Sequence, residues 1–410
     1  MRKDKLSLFV FIDAFGWALL QRHAFLDDEL ATKAPLGTVL GYSSTCIPTI
    51  LTGKLPREHG HFSSFYYDPV ASPFKAYRHL SLLPVALTRR DRFRRLVSKS
   101  MQEHLGYTGY FQIYNVPFKH LPCFDYAEKR DIYAPGGINT GIATIFDHLD
   151  REHIPFHCSD WRLSEEENLG SLERDMELGE IDAAYLYLPA LDGTLHMHGP
   201  HSTVVAAKIA WYERKLRAIL ARARRNYDTV NLYVFSDHGM ASVDDSCALV
   251  KRIDDIGLEF GTDYVAMYDS TMARFWFLND AARHAIEVAL RNEPRGRILS
   301  DSELRKFGCD FPNHQYGELI FLMNPGVLIC PSFMGHKAIA GMHGYDPEHV
   351  DSVAMFATNT QLDVLPRRLD NLHDVMVREV SGRAGSCVSR TRMPRALIEE
   401  LESAAANASA

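Results

Sequence analysis

The chain has 410 residues, which is longer than one hydrophobic core usually grows, so one large domain with sizeable insertions or a subdomain is expected. Hydrophobic residues make up 46% and charged residues 24%, as in an ordinary globular protein. The net charge of −7 gives no indication of a protein that binds nucleic-acid polymers. The seven cysteines are scattered and contain no C-x-x-C pair, which argues against a disulfide framework or a thiolate zinc site.

The amino terminus is interpreted as a buried strand and not as a signal peptide. The apolar run Leu6–Ile12 is short, ends in the acidic Asp13, and is followed by bulky Phe15 and Trp17 where a cleavage site needs small residues. The chain also contains no stretch of 18 apolar residues, so no transmembrane segment is expected. With reduced cysteines, these features predict a cytoplasmic protein.

Short apolar runs alternate with amphipathic stretches along the chain. The runs are predicted as strands buried on both faces of a sheet: Leu6–Ile12, Ala184–Leu188, Val230–Phe235 and Val353–Ala357. The amphipathic stretches are predicted as helices: Thr140–His153 and Ala206–Ala223. This alternation predicts an α/β fold, a doubly wound and mostly parallel sheet with helices on both faces.

Two insertions interrupt the alternation, and they define the predicted domains. The catalytic core comprises residues 1–68, 136–241 and 340–390, with a cap at 69–135 and a tail at 391–410 that begins as a helix. The second insertion, 242–339, is predicted as a small α/β subdomain with strands at Ala273–Phe277 and Glu318–Met323 and a helix at Ala281–Arg291.

The cap contains a basic segment, Arg89–Lys99, with six basic residues and one acidic residue. It is either a solvated helical face or a patch for an anionic substrate or lipid headgroup.

Residues suited to metal binding stand close after predicted strands or, in one case, just before one. The candidate ligands are Asp13, Asp192, His196, Asp237, His238 and His343. Ligands of open α/β sheets collect beyond the carboxyl ends of the strands, so these side chains are expected to meet there. Six residues are too many for one tetrahedral ion and suit two divalent ions, with zinc favoured by imidazole and carboxylate together and manganese or magnesium admitted.

A hydroxyl cluster offers a nucleophile. Ser43, Ser44 and Thr45 precede a short stretch that is compatible with a helix and ends at Gly53. A hydroxyl at a helix amino terminus faces free N–H groups, which suits an anionic phosphate, and near a metal it loses its proton more easily. An ordinary helix cap is the alternative.

Five motifs, in this order, resemble the alkaline phosphatase superfamily in its nucleotide pyrophosphatase/phosphodiesterase branch: FIDAFGW, SSTCIPTILTGKLPREHG, LDGTLHMHG, FSDHGM and GMHGYDP. The resemblance implies a doubly wound α/β fold and two divalent ions, usually zinc. It implies one ion on Asp192, His196 and His343, and the other on Asp13, Asp237, His238 and the nucleophile.

In that family the nucleophile precedes the Thr of a closing Thr-Gly by nine residues, and counting back from Thr52 gives Ser43. The phosphodiesterase branch typically has Thr there, and Ser44 or Thr45 remains possible if the register differs by one or two residues. The branch also often places an Asn about twenty residues further on, where this chain has Ser64. A sulfatase is rejected because the sulfatase-like Cys46 lies three residues too late and Ile50 stands where Arg is needed.

The sequence therefore predicts a metal-dependent hydrolase of small phosphorylated molecules, of the phosphodiesterase type, in which Ser43 forms a covalent phospho-enzyme. A phosphomonoesterase or phosphotransferase on the same metal core is the alternative, and an inactive binding protein is a third hypothesis. The aromatic run Phe65-Tyr66-Tyr67 is expected either to stack on a base or sugar or to pack beneath the cap.

Overall fold

The computed structural model describes residues 2–382, 393 and 396–401. Its strands, in chain order, are β1 Lys3–Ile12, β2 Thr32–Leu36, β3 Phe65–Tyr67, β4 Phe124–Tyr126, β5 Phe156–Cys158, β6 Ala183–Leu188, β7 Tyr227–Phe235, β8 Ala241–Ser242, β9 Asp245–Cys247, β10 Tyr264–Tyr268, β11 Met272–Phe277, β12 Gly296–Ile298, β13 Leu319–Met323, β14 Val327–Ile329, β15 Gly341–Met342 and β16 Ala354–Thr358.

The α-helices are α1 Trp17–Arg22, α2 Ser43–Thr52, α3 Pro56–His59, α4 Val85–Thr88, α5 Asp91–Leu105, α6 Ile145–Arg151, α7 Glu165–Leu178, α8 Ala190–His198, α9 Thr203–Asn226, α10 Leu249–Asp254, α11 Asp280–Arg291, α12 Asp301–Phe307 and α13 Asn371–Ser381. Residues 73–82, 121–123 and 350–352 form 3-10 helices, and residues 396–401 are helical. No helix among the described residues is long and apolar enough to cross a membrane.

The six-stranded sheet has the order β2-β16-β7-β1-β6-β5, and only β16 runs antiparallel to its neighbours. Successive residues of β1 point to opposite faces, where Leu8 and Val10 join one hydrophobic cluster while Phe9 and Phe11 join another. Helices α7 and α9 cover the first face, and α2, α6 and α13 cover the second. The predicted α/β architecture with helices on both faces is thus confirmed.

One predicted helix begins later than expected. Residues 140–144 are not helical, and α6 begins at Ile145 because Thr144 caps it: its hydroxyl accepts the Asp147 N–H while the Asp147 carboxylate accepts the Thr144 N–H. Gly141, with φ of +79°, further breaks the helical pattern upstream.

The cap and the second insertion pack against each other. A two-stranded ribbon, β3 with β4, closes segment 68–123, which forms most of the cap. The second insertion contains an antiparallel sheet of order β10-β11-β13-β12. Residues of both segments, among them Phe74, Phe111, Trp276 and Phe321, belong to one buried hydrophobic cluster. The proposed domain boundaries themselves remain a prediction.

Candidate active site

The six candidate ligands lie together at the carboxyl edge of the parallel strands. Asp13 directly follows β1, Asp237 and His238 follow β7, Asp192 and His196 lie on α8 just after β6, and His343 lies between β15 and β16. His343 lies at this edge because β16 runs antiparallel to β7. The start of β16 is therefore at the same edge of the sheet as the end of β7, and His343 precedes β16 in the chain.

Asp192, His196 and His343 form the first potential ligand group, with one ligand atom from each within 4.8 Å of the others. Asp192 Oδ1 lies 3.3 Å from His196 Nε2 and 3.5 Å from His343 Nε2. Four residues apart on α8, Asp192 and His196 share one helix face. His196 Nδ1 is 2.8 Å from the carbonyl oxygen of Gly341, which can only accept, so Nδ1 donates and Nε2 of the neutral ring is free to bind a cation.

Asp13, Asp192 and His238 form the second group, within the same 4.8 Å limit. Asp237 adjoins it, since its Oδ2 lies 3.1 Å from His238 Nε2. His238 Nδ1 donates to the Gly239 carbonyl oxygen at 2.9 Å, which turns Nε2 toward the carboxylates. The rings of His238 and His343 stack with centroids 3.7 Å apart, so the two groups are contiguous and Asp192 belongs to both.

Each carboxylate of this cluster has one oxygen without a hydrogen-bond donor among the described residues. Asp13 Oδ1, Asp192 Oδ1 and Asp237 Oδ2 are buried and accept no hydrogen bond from the described residues. Burial, followed by the charges of Asp237 and Asp192, raises the pKa of Asp13. Although burial alone would lower it, the charges of the neighbouring carboxylates, Asp237 first, raise the pKa of His238 to about 10. Buried acceptors that repel one another require compensating positive charge, and the donor set fits divalent cations.

Local packing holds the ligands in place. The Tyr187 hydroxyl donates to Asp13 Oδ2 at 2.7 Å, and the Ala14 N–H donates to Asp237 Oδ1 at 3.1 Å. After His238 the chain passes so close to the Asp351 carbonyl that a Cβ on Gly239 would lie 2.3 Å from that oxygen. Only glycine therefore allows the tight approach that places two consecutive ligands here.

Ser43 is the first residue of α2, and its Oγ lies 3.2 Å from His238 Nε2. Thr45 is fully buried, and its hydroxyl donates to the Phe62 carbonyl. This hydroxyl is therefore engaged in a structural hydrogen bond. Ser44 lines the same cleft as Ser43. Among the three hydroxyls of the sequence motif, only that of Ser43 has a hydrogen-bond contact with a candidate ligand in the described structure.

The second insertion reaches back to the nucleophile helix. The Tyr42 hydroxyl donates to Thr271 Oγ1 at 2.9 Å and accepts the Thr271 N–H at 3.0 Å, while Thr271 Oγ1 donates to the Gly344 carbonyl at 2.7 Å. One buried threonine thus connects the residue before Ser43 to the residue after His343. Nothing in the sequence pattern identified this contact.

The site opens into a cleft of about 460 Å³. Its lining includes Ser63 and Ser64, the latter at the position where the phosphodiesterase branch often has Asn. The aromatic run after Ser64 packs between the two insertions. Phe65 is fully buried against Phe74 of the cap, and Tyr67 stacks on Trp276 of the second insertion at 5.3 Å. Sequence reasoning missed four aromatic residues of the lining and one glutamate, because the motifs lie elsewhere: Tyr110, Tyr114, Tyr133, Trp161 and Glu128.

The basic segment of the cap forms most of α5. Arg94 is buried and donates to three carbonyl groups, of Thr88, Tyr114 and Val116, so it has a structural role. No residue of Arg89–Lys99 lines the cleft in the described structure. Contact with an anionic surface through this helix stays a prediction.

Comparison with known proteins gives a consistent result. The family described as type I phosphodiesterase / nucleotide pyrophosphatase matches residues 8–346. Human ectonucleotide pyrophosphatase/phosphodiesterase family member 7 is 23% identical over 248 residues. That match covers 58% of this chain and 48% of the human protein, so the chain matches about half the length of that relative.

Solved structures share the fold at low sequence identity. Murine ectonucleotide pyrophosphatase/phosphodiesterase 5 matches with a TM-score of 0.66 at 15% identity, over 98% of this chain and 100% of that one. An inactive variant of it in complex with AMP gives 0.65 at 15% identity, over 97% and 100%. The human counterpart gives 0.65 at 14% identity, over 98% and 99%.

Proposed function

Because the chain belongs to the type I phosphodiesterase / nucleotide pyrophosphatase family, we propose that it is a metal-dependent hydrolase that cleaves small phosphodiesters through a covalent intermediate on Ser43. One observation carries the proposal. Ser43 Oγ stands at the amino terminus of α2, 3.2 Å from His238 Nε2, beside carboxylate oxygens that lack hydrogen-bond donors.

The residues fit two divalent ions, with zinc favoured and manganese or magnesium admitted. Asp192, His196 and His343 would hold one ion, and Asp13, Asp237, His238 and Ser43 the other. When bound, such ions supply positive charge that lowers the pKa of the serine hydroxyl and stabilises charge on the leaving oxygen.

The chain's own groups then account for the reaction. Ser43 releases its proton to water, and its Oγ forms a bond to phosphorus while the bond to the leaving alkoxide breaks on the opposite side. The alkoxide then takes a proton from the solvent, which balances the one that Ser43 released. The free N–H groups at the start of α2, together with the Ser64 hydroxyl, orient the phosphoryl oxygens. Water then attacks phosphorus, and Ser43 leaves as the regenerated hydroxyl.

Replacement of the nucleophile tests the assignment. Ser43→Ala is expected to lower kcat at least about a thousandfold, because the covalent step needs that oxygen. Metal content, measured by elemental mass spectrometry, should stay near that of the unmodified protein. Ser44→Ala is the matched comparison; wild-type turnover in Ser43→Ala, or its loss only in Ser44→Ala, would refute the assignment.

Substrate comparison tests the reaction class. Rates on bis-p-nitrophenyl phosphate, p-nitrophenyl phosphate and p-nitrophenyl sulfate are compared with metal-loaded protein. A preference for the diester supports the proposal, whereas a preference for the monoester supports a phosphomonoesterase. Metal-loaded protein that hydrolyses none of the three contradicts both.

A further inference from the structure

The cleft around Ser43 continues into an aromatic wall. We call Tyr110, Tyr114, Tyr133 and Trp161 the aromatic lining, because all four line the same cleft as the candidate ligands. Tyr133 stacks on Tyr187 with ring centroids 5.4 Å apart, and Tyr187 in turn binds Asp13. Through Tyr133 and Tyr187, the aromatic lining is therefore connected to the candidate ligand Asp13.

The side chains that line the cleft include an excess of acidic groups. None of the described residues that line it is Lys or Arg, whereas four are carboxylates. Asp13 and Asp192 belong to the metal cluster. Asp269 is compensated, because its Oδ2 accepts Arg274 Nε at 2.9 Å in a fully buried ion pair.

Glu128 is the fourth carboxylate, and it forms no ion pair within the described structure. Its Oε1 accepts the backbone N–H of Tyr110 at 2.9 Å. Burial raises the pKa of Glu128 to about 8, so the surroundings of this carboxyl do not favour its charged form. A cation beside it would do so.

The basic residues nearest in the chain are engaged elsewhere. Lys129 pairs with Asp125, and Arg130 donates to the Gly136 carbonyl. Arg162, beside Trp161, pairs with Asp131 and Asp160 at 3.0 and 3.1 Å. None of the three lines the cleft, so the Glu128 carboxyl has no basic partner there and can ionise beside a cationic ligand.

The aromatic rings of the lining add to the preference of the cleft for a cationic ligand. The rings of Tyr110 and Trp161 meet edge to face, with centroids 5.9 Å apart. One face of Trp161 is occupied by the Arg162 guanidinium, which lies 4.3 Å from the ring centroid. The tyrosine rings of the lining therefore carry the attraction for a ligand cation, about 0.5–2 kcal/mol for a cation over a ring face. An anionic group in the same place would face Glu128 with no basic partner.

Building on the phosphodiesterase function proposed above, we propose that this cleft selects diesters whose organic substituent carries positive charge, as a protonated amine or a quaternary ammonium group. Glu128 binds the charge beside the aromatic lining. Polyanionic substituents are disfavoured, because no Lys or Arg among the described residues lines the cleft to pair with them.

Three p-nitrophenyl phosphodiesters of matched size test this: the 2-aminoethyl, propyl and 2-carboxyethyl esters. They share a leaving group and differ mainly in the charge of the substituent. With metal-loaded protein, kcat/KM for the aminoethyl ester is expected to exceed that for the propyl ester about tenfold, and the carboxyethyl ester should be slowest. Equal values, or a preference for the carboxyethyl ester, would overturn the cation preference and leave the phosphodiesterase proposal intact.

Variants attribute the preference to residues. Glu128→Gln keeps an oxygen that accepts the Tyr110 N–H but removes the charge, so the aminoethyl-to-propyl ratio should fall toward one. Glu166→Gln, an exposed residue outside the cleft, should keep the wild-type ratio. Tyr110→Phe retains the ring and should keep most of the preference, whereas Tyr110→Leu should reduce it.

A binding measurement separates the two proposals if turnover fails. Calorimetry with Ser43→Ala compares 2-aminoethyl methyl phosphate with propyl methyl phosphate. The aminoethyl ester should bind about tenfold tighter, and Ser43→Ala combined with Glu128→Gln should abolish the difference. Equal affinities would refute the cation preference, whatever the rates.

Discussion

At the scale of single residues, the candidate ligands depend on their hydrogen-bond partners. His196 and His238 each donate Nδ1–H to a main-chain carbonyl, which fixes the ring and leaves Nε2 for a cation. The Tyr187 hydroxyl does the same for Asp13 by occupying Oδ2, so that Oδ1 faces the cluster. Such partners are worth about 10–100-fold in metal affinity.

Tyr187→Phe tests this contribution. Loss of the Tyr187 hydroxyl leaves Asp13 Oδ2 buried without a donor. The affinity for zinc, measured by competition with a chelator, should therefore fall about 10–100-fold. Tyr185→Phe is the matched control, because the Tyr185 hydroxyl lies on the same strand and has no hydrogen-bond partner among the described residues. An equal change of zinc affinity in the two variants would show that the hydrogen bond from Tyr187 to Asp13 does not contribute to metal binding.

At the scale of elements, the end of the last core helix is tied to the sheet by one carboxylate. Glu379 on α13 accepts hydrogen bonds from Ser7 at 2.7 Å, Asn231 at 2.8 Å and Tyr233 at 2.7 Å, and pairs with Lys5 at 2.6 Å. Burial raises its pKa, but these donors, Lys5 first, lower the pKa of Glu379 below its ordinary value.

Because the pKa of Glu379 is lower in the folded protein, ionised Glu379 stabilises the folded state. The contribution of Glu379 is present above its unfolded pKa of 4.5 and is lost as pH falls through the lower folded value. Glu379→Gln is therefore expected to cost about 2 kcal/mol of unfolding free energy at pH 7. The difference from the unmodified protein in urea denaturation should narrow below about pH 4, whereas Glu166→Gln should change little at any pH. A difference that stays constant with pH would contradict the charge-based explanation.

The sequence predicts the central elements well and the edges poorly. β1, β6 and β7 are buried on both faces, so their apolar runs stand out, and ligands that follow such strands meet at one edge. Strand β2 escaped prediction because it is a partly exposed edge strand that contains Pro35, where a missing N–H is tolerated. The contacts of Thr271 and Glu128 depend on how insertions fold back onto the core, and no local pattern encodes them.

At the scale of the whole molecule, the cap and the second insertion share one hydrophobic cluster and are expected to unfold together. Trp276 belongs to this cluster: it is 2% exposed, stacks on Tyr67, and donates Nε1–H to the His314 carbonyl at 2.7 Å.

Trp276→Ala should therefore destabilise both segments. The expected loss is about 3–5 kcal/mol, from lost burial and the cavity left behind. Hydrogen exchange should accelerate in residues 69–135 and 242–339 alike. Trp211→Ala, at a partly buried site against the core-sheet cluster, should leave exchange in the cap unchanged. Acceleration confined to the second insertion would show that the two segments are independent.

The two-stranded ribbon that closes segment 68–123 also bears on how proteins of this fold diversify. Phe65 pairs with Tyr126 and Tyr67 with Phe124, so the chain leaves and re-enters at points about 5 Å apart. A segment with adjoining ends can be exchanged for another of different length without moving the strands that carry the candidate ligands. Tyr110 and Tyr114 lie between these ends, whereas Ser43 and the six candidate ligands lie outside them. At this ribbon, part of the cleft lining can be replaced during evolution while the strands that carry the candidate ligands are inherited unchanged.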